Sequence, residues 1–198
     1  MKLNNLTDNP LSREWKKRYN EQPAEIRREL DRLDTLKIEE YQLKVIKRKR
    51  IQPEKGDVFL LSPREGLYFY GLVVNSKINN MDGDNLSVIL IFRDKAKSVE
   101  DVEFTPDVKR LLLRPDMVGR EYWTRGYFYN IGRIKEEIFQ DFDYGFYDIF
   151  REKYYDEYGK ELTKRPALIG LAGVSTVSGI AAKINRELII DSSLAEPL

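Results

Sequence analysis

The hydrophobic pattern changes its period near residue 50, and this change constrains the fold more than any other feature of the sequence. Upstream, Ile26, Leu30 and Leu33 are spaced at i, i+4 and i+7, and they predict one amphipathic helix that follows Pro23. Downstream, short runs rich in β-branched and aromatic residues predict strands at 57–61, 67–74 and 86–92.

Turn-forming residues join the predicted strands. Residues 62–66 separate the first two strands, and Asp82-Gly83 is a strong hairpin signal between the second and the third. Because strands joined by such short turns pair antiparallel, we expect an α+β fold in which helices pack on an antiparallel, partly curved β-sheet. We therefore predict a helical, basic N-terminal extension over residues 1–50 and an α+β domain over residues 51–198.

Further elements are expected in the C-terminal half. Leu-rich residues 111–113 predict a strand that ends at Pro115, because proline cannot donate a ladder hydrogen bond. Thr176 or Ser178 is a suitable N-cap for a last helix that continues through Leu188.

The chain contains no histidine and no cysteine, which excludes several chemistries at once. It cannot form a disulfide, a thiolate metal site, an imidazole base or a Ser-His-Asp triad. We therefore expect a protein that is not an enzyme and that carries no cofactor and no metal. A carboxylate-dependent hydrolase acting on a phosphoester or glycosidic substrate is the alternative, although nothing singles out one pair among 33 acidic residues.

The net charge of +1 conceals a division along the chain. Residues 1–50 carry 14 basic and 9 acidic side chains, whereas residues 51–198 carry 20 basic and 24 acidic ones. The run Lys47-Arg48-Lys49-Arg50 could neutralise phosphates, but the segment also contains its own acids. The sequence favours a solvated linker here over a nucleic-acid contact.

The sequence also indicates where the protein resides. The start of the chain lacks the apolar core of a secretory signal peptide. The most apolar stretch, residues 167–182, is interrupted by glycine, serine and threonine and is shorter than the roughly 20 residues of a membrane span. We expect a cytoplasmic protein that does not enter a membrane.

Residues 139–158 interleave aromatic and acidic side chains more densely than any other segment. The spacing of its aromatic residues predicts a helix over 147–158 that ends at Gly159, with Asp148, Glu152 and Asp156 on an adjacent acidic face. Like charges at i, i+4 cost a helix about 0.2–0.5 kcal/mol per pair. Such a face is either solvated or presented to a cationic partner, and the sequence leaves both interpretations open.

An ordered series of landmarks resembles the immunity protein 26 family of bacterial polymorphic-toxin systems. The series covers roughly residues 51–190, and one departure is Tyr144-Gly145, where related sequences tend to carry a histidine. In chain order the landmarks are Gly56-Asp57-Val58-Phe59, Tyr70-Gly71-Leu72-Val73, Leu111-Leu112-Leu113 with Pro115, Trp123 with Gly126-Tyr127-Phe128, Phe146-Tyr147, Tyr155-Asp156-Glu157-Tyr158-Gly159 and the small-residue stretch 170–179.

The resemblance implies a small α+β protein that is made beside a toxin used in competition between bacteria. It would protect its producer by binding the C-terminal domain of that cognate toxin and occluding the active site. The acidic-aromatic segment is the predicted contact surface, since anchoring aromatics and complementary charge are typical of such interfaces. The candidate contact residues are Asp141, Asp143, Tyr144, Asp148, Glu152 and Asp156. The oligomeric state stays open.

Overall fold

The computed structural model describes residues 8–134 and 142–198, which form helices around two β-sheets. The elements in chain order are α1 (Pro10–Asn20), α2 (Ala24–Leu33), α3 (Ile38–Tyr41), β1 (Asp57–Arg64), β2 (Leu67–Asn80), β3 (Gly83–Ala96), β4 (Leu111–Val118), α4 (Glu121–Thr124), β5 (Phe128–Arg133), β6 (Tyr144–Asp148), β7 (Lys153–Tyr155), β8 (Leu168–Leu171) and α5 (Val177–Ile190). Short 3₁₀ helices occupy Val108–Arg110 and Ser192–Ala195.

The larger sheet has five strands in the order β4-β3-β2-β1-β5, and every neighbouring pair is antiparallel. The predicted antiparallel pairing of strands joined by short turns is therefore confirmed, as is the α+β class. The prediction that the fourth strand ends at Pro115 is wrong, because β4 continues to Val118. Proline is tolerated there because β4 lies at the edge of this sheet, where one side of the strand needs no ladder donor.

The smaller sheet has the order β7-β6-β8, with β6 antiparallel to β7 and parallel to β8. The helix predicted over residues 147–158 is wrong, and with it the helical acidic face of Asp148, Glu152 and Asp156. These residues instead complete β6, turn, form β7 and turn again. The aromatic residues pair across the strands, as Tyr147 with Tyr154, whose ring centroids are 5.2 Å apart.

The two faces of the five-stranded sheet carry separate cores. One face packs against α4 and α5, and the fully buried Trp123 lies there among aromatic rings, 5.5 Å from Phe59. The other face packs against the smaller sheet through the buried Phe146. Gly170 joins the sheets closely, because a Cβ atom there would lie 2.2 Å from the carbonyl oxygen of Pro115.

The N-terminal helices pack on the last helix. Leu30 and Leu33 of the predicted stripe are buried, and α2 contacts α5. The amide of Asn185 donates to the carbonyl oxygen of Tyr41 at 3.0 Å, which fixes α3 to the same helix. Helix α5 begins as predicted, since the Thr176 hydroxyl accepts a hydrogen bond from the Gly179 amide at 3.1 Å. The division into two parts near residue 50 stays a prediction.

Candidate partner-binding groove

A groove of about 260 Å³ opens between three turns, and we call it the hairpin groove. The turns are the β2–β3 hairpin tip, the β6–β7 hairpin and the turn after β7, while Phe146 and Met117 lie at its floor. Each turn presents one large apolar or aromatic side chain to solvent. These side chains are Met81, Phe150 and Tyr158, which are 88%, 68% and 57% exposed.

Asparagine side chains hold the β2–β3 tip in place. The Asp82 amide donates to Asn80 Oδ1, and the Asn85 amide donates to Asn79 Oδ1, each at 2.8 Å. Asn80 Nδ2 also donates to the carbonyl oxygen of Glu157 at 2.8 Å. The tip is therefore tied to the turn after β7, and this contact brings Met81 into the groove.

The carboxylate of Asp148 builds the β6–β7 turn. Its Oδ1 accepts hydrogen bonds from the amides of Phe150 and Arg151, at 2.8 and 3.0 Å. Glu152 completes the turn with a φ of 57°, in the left-handed region. Asp148 itself is largely buried, and its effect on the surface is to present Phe150.

Asp156 plays the same part in the turn after β7. Its Oδ1 accepts from the amides of Tyr158 and Lys160, at 2.9 and 2.8 Å. Gly159 closes this turn with a φ of 84°. Phe150 and Tyr158, the aromatic side chains exposed at the groove, thus each stand on a turn that an aspartate shapes.

Glu157 is the centre of a polar network beside the groove. Its Oε1 accepts from the Tyr144 hydroxyl at 2.7 Å and from Asn75 Nδ2 at 2.5 Å. Burial raises the pKa of Tyr144 above its usual range, and the Glu157 carboxylate acts in the same direction. The hydroxyl therefore stays a donor at neutral pH. Asn75 also donates to the Tyr158 hydroxyl at 3.2 Å, which connects the network to the groove.

The six candidate contact residues are divided by the structure. Asp148 and Asp156 line the groove, whereas Tyr144 lies beside it and donates a hydrogen bond to Glu157. Asp143 instead holds the start of β8, since its Oδ2 accepts from the Ala167 amide at 3.0 Å. Glu152 is exposed in the β6–β7 turn, and Asp141 lies outside the described residues.

Sequence reasoning missed Met81 and placed Phe150 within the predicted helix over 147–158. The signal for Met81 is its position in the polar turn 79–85, where an apolar residue has no local role. Phe150 gave no comparable signal, because its spacing from Tyr147 and Tyr154 fits a helix as well as the observed turn.

A second cavity, of about 300 Å³, lies between α1, β4 and α5, and we call it the helix cleft. Trp15 and Leu113 contribute apolar walls. Its three carboxylates form a ring of ion pairs between the elements: Glu14 of α1 with Arg114 of β4, Asp116 of β4 with Lys183 of α5, and Glu187 of α5 with Arg18 of α1. Each carboxylate that could serve a hydrolase in this cavity is thus held by a cation.

Two further observations concern the described part of the chain. Residues 8–134 and 142–198 contain no group of three or more acidic side chains arranged to hold a metal ion. None of the helices in these ranges has the length and apolar character needed to cross a bilayer.

A comparison with models of protein families gives a match over the middle of the chain. The family model described as Immunity protein 26 matches residues 54–155, just over half of the chain. This span includes β1 to β7, and so includes the β2–β3 and β6–β7 turns of the hairpin groove. No curated protein and no solved structure matches the chain significantly. The chain belongs to the immunity protein 26 family.

Proposed function

We propose that the protein neutralises a cognate toxin by binding the toxin's C-terminal domain, and that the hairpin groove is the contact surface. One observation carries this proposal: Met81, Phe150 and Tyr158 stand exposed on three separate turns around one cavity. Large exposed side chains cost solubility when they cluster, and such clusters mark interaction sites. Aromatic anchors around a pocket are also the residues that dominate binding energy in protein interfaces.

The charge around the groove supports a basic partner surface. Asp82, Asp148 and Asp156 line it together with one cation among the described residues, Arg151, whose Nε lies 3.7 Å from Asp148 Oδ2. Excess negative charge at a rim speeds the association of a positively charged partner more than it tightens the complex. A toxin domain with a basic cleft fits this surface, and binding alone is enough to occlude that cleft without any reaction catalysed by the protein.

The test is the binding of this protein to the toxin domain encoded beside its gene, measured by biolayer interferometry. We expect Phe150→Ala and Tyr158→Ala each to weaken binding by about 30-fold, which corresponds to about 2 kcal/mol for a central anchor. The loss should lie mainly in faster dissociation. Val102→Ala is the matched control, because Val102 is 61% exposed and lies outside the groove.

The charge of the groove is tested separately with Asp82→Lys. Asp82 is preferable to Asp148 and Asp156, because those two carboxylates hold turns and their loss would alter the fold. We expect slower association and a weaker dependence of the association rate on salt.

Two results would overturn the groove as the contact surface. One is wild-type affinity for both aromatic variants, provided that their free energies of unfolding stay within about 0.5 kcal/mol of wild type. The other is full protection of cells that express the toxin together with the double variant. Failure of the wild-type protein to bind or protect would overturn the toxin-neutralising function itself.

A further inference from the structure

The basic run Lys47-Arg48-Lys49-Arg50, for which the sequence favours a solvated linker, has exposed cations on a backbone that is hydrogen-bonded to the domain. The Ile46 amide donates to the carbonyl oxygen of Gly126 at 2.8 Å, and the Lys49 amide donates to the carbonyl oxygen of Trp123 at 3.3 Å. Trp123 is completely buried, so the second bond ties the run to the core. The row of cations therefore has a fixed backbone.

Gly126 makes this close approach possible. It has a φ of 85°, and a Cβ atom there would lie 2.8 Å from the carbonyl carbon of Lys47 and 2.9 Å from the amide nitrogen of Arg48. Any larger residue at position 126 would push the basic run away from this turn. The chain thus holds four consecutive cations against the turn between α4 and β5.

The cations of this surface are not neutralised by the fold. Lys47, Arg48, Arg50 and the neighbouring Arg125 are exposed. Within residues 8–134 and 142–198, no salt bridge joins any of these four to a carboxylate. Lys49 lies with its Nζ 4.6 Å from the ring centroid of Tyr129, an attraction that leaves its positive charge in place.

We propose that this basic strip, residues 47–50 with Arg125, binds the phosphate backbone of nucleic acid. Unpaired cations in a fixed row are the electrostatic footprint of a polyanion site, and the anchored backbone reduces the ordering cost of binding. A protein partner would require an apolar centre, which a run of lysines and arginines does not provide. Interfaces with nucleic acid are more polar and more positively charged. The strip shares no residue with the hairpin groove, so this function is independent of toxin binding.

Fluorescence anisotropy with a labelled 20-nucleotide oligo-dT tests the proposal. One phosphate contact from each of the four exposed cations predicts a slope of about −2.8 in a plot of log affinity against log salt. The affinity should therefore fall about 50-fold between 50 and 200 mM salt. Arg48→Ala/Arg50→Ala should halve that slope, whereas Arg48→Lys/Arg50→Lys should keep binding, because phosphates accept either cation. Lys16→Ala/Lys17→Ala, on the exposed face of α1, removes the same charge elsewhere and should change nothing.

Three results would overturn the proposal. They are the absence of binding at 50 mM salt, an equal loss in the Lys16/Lys17 control, and tighter binding of poly-glutamate than of the oligonucleotide. The last result would indicate an acidic protein as the partner. Gly126→Ala provides a further check, since it displaces the strip without changing any charge and should weaken binding in protein that remains folded.

Discussion

The helix cleft and the hairpin groove are similar in volume, about 300 and 260 Å³, but they differ in how their polar groups are used. In the cleft, carboxylates and cations from three elements neutralise each other in a closed ring. In the groove, carboxylates accept backbone amides and thereby present apolar side chains to solvent. The two cavities therefore cannot be told apart by volume. What distinguishes them is the partners of their carboxylates: cations that join elements of the fold in the cleft, and backbone amides that leave apolar side chains exposed in the groove.

The ring in the cleft joins helix α1 to β4 and α5. Arg18 of α1 donates to both carboxylate oxygens of Glu187, at 2.5 and 2.6 Å, and Arg93 of β3 approaches the same carboxylate at 3.5 Å. The Glu187 side chain is only 8% exposed, and both arginines contact its carboxylate. Removing this one carboxylate should therefore loosen the contacts that α5 makes with α1 and with the five-stranded sheet.

The largest effect is expected for Glu187→Ala. Arg18 and Arg93 lose their common partner, although Arg93 keeps its pair with Asp191, and we expect the free energy of unfolding to fall by about 1.5–3 kcal/mol. Urea unfolding followed by tryptophan fluorescence measures the change, since Trp15 and Trp123 lie on α1 and in the core. Glu29→Ala is the control, because its pair with Arg32 is exposed and spans 3.8 Å, so a change below about 0.5 kcal/mol is expected. A small effect of Glu187→Ala would contradict this distinction, because the ion pairs of the cleft would then not hold α1, β3 and α5 together.

Gly170→Ala tests the region between the two cavities and should have the next largest effect. A methyl group there meets the carbonyl oxygen of Pro115, which lines the cleft, and the ring of Phe146, which lines the groove. We expect a loss of about 1–3 kcal/mol in the free energy of unfolding, since overpacked cores cost that much. Gly132→Ala is the matched control, because nothing lies within 4 Å of the added methyl group. It should be neutral or slightly stabilising, and equal losses in both variants would show that β8 does not depend on close packing against β4.

The parts of this fold that could be predicted from the sequence are those with local signals. The meander follows from turn residues such as Asp82-Gly83, and α2 and α5 follow from periodicity and the Thr176 cap. Residues 147–158 were assigned wrongly because their aromatic spacing fits both a helix and paired strands. The contact that selects strands over a helix in this segment is non-local, since β6 pairs with β8 some twenty residues later.

The candidate site was predictable only in its chemistry. The sequence singled out Asp148 and Asp156 as acidic residues, but their role is to accept backbone amides in turns that could not be recognised within a presumed helix. Met81 joins them through the hydrogen bond from Asn80 to Glu157, a contact between residues 77 positions apart. The β2–β3 tip comes from a distant part of the chain, and no local pattern predicts that it meets the two turns around β7.

The smallest effect is expected from the acid titration of Glu14, the exposed member of the cleft ring. The hydrogen bond from Arg114 holds the pKa of Glu14 below its usual value, and burial of the carboxyl acts in the opposite direction. In the unfolded chain Glu14 takes up its proton at higher pH, so its contribution is complete above about pH 5 and is lost as the pH falls towards the lowered pKa. Because the pair is nearly half exposed, the loss should stay below about 1 kcal/mol.

Glu14→Gln should remove this part of the pH dependence, measured as urea midpoints between pH 3 and 6. Glu65→Gln, in the exposed turn between β1 and β2, should retain it. Identical acid profiles for wild type and Glu14→Gln would mean that the pair between Glu14 of α1 and Arg114 of β4 contributes nothing to the stability of the ring.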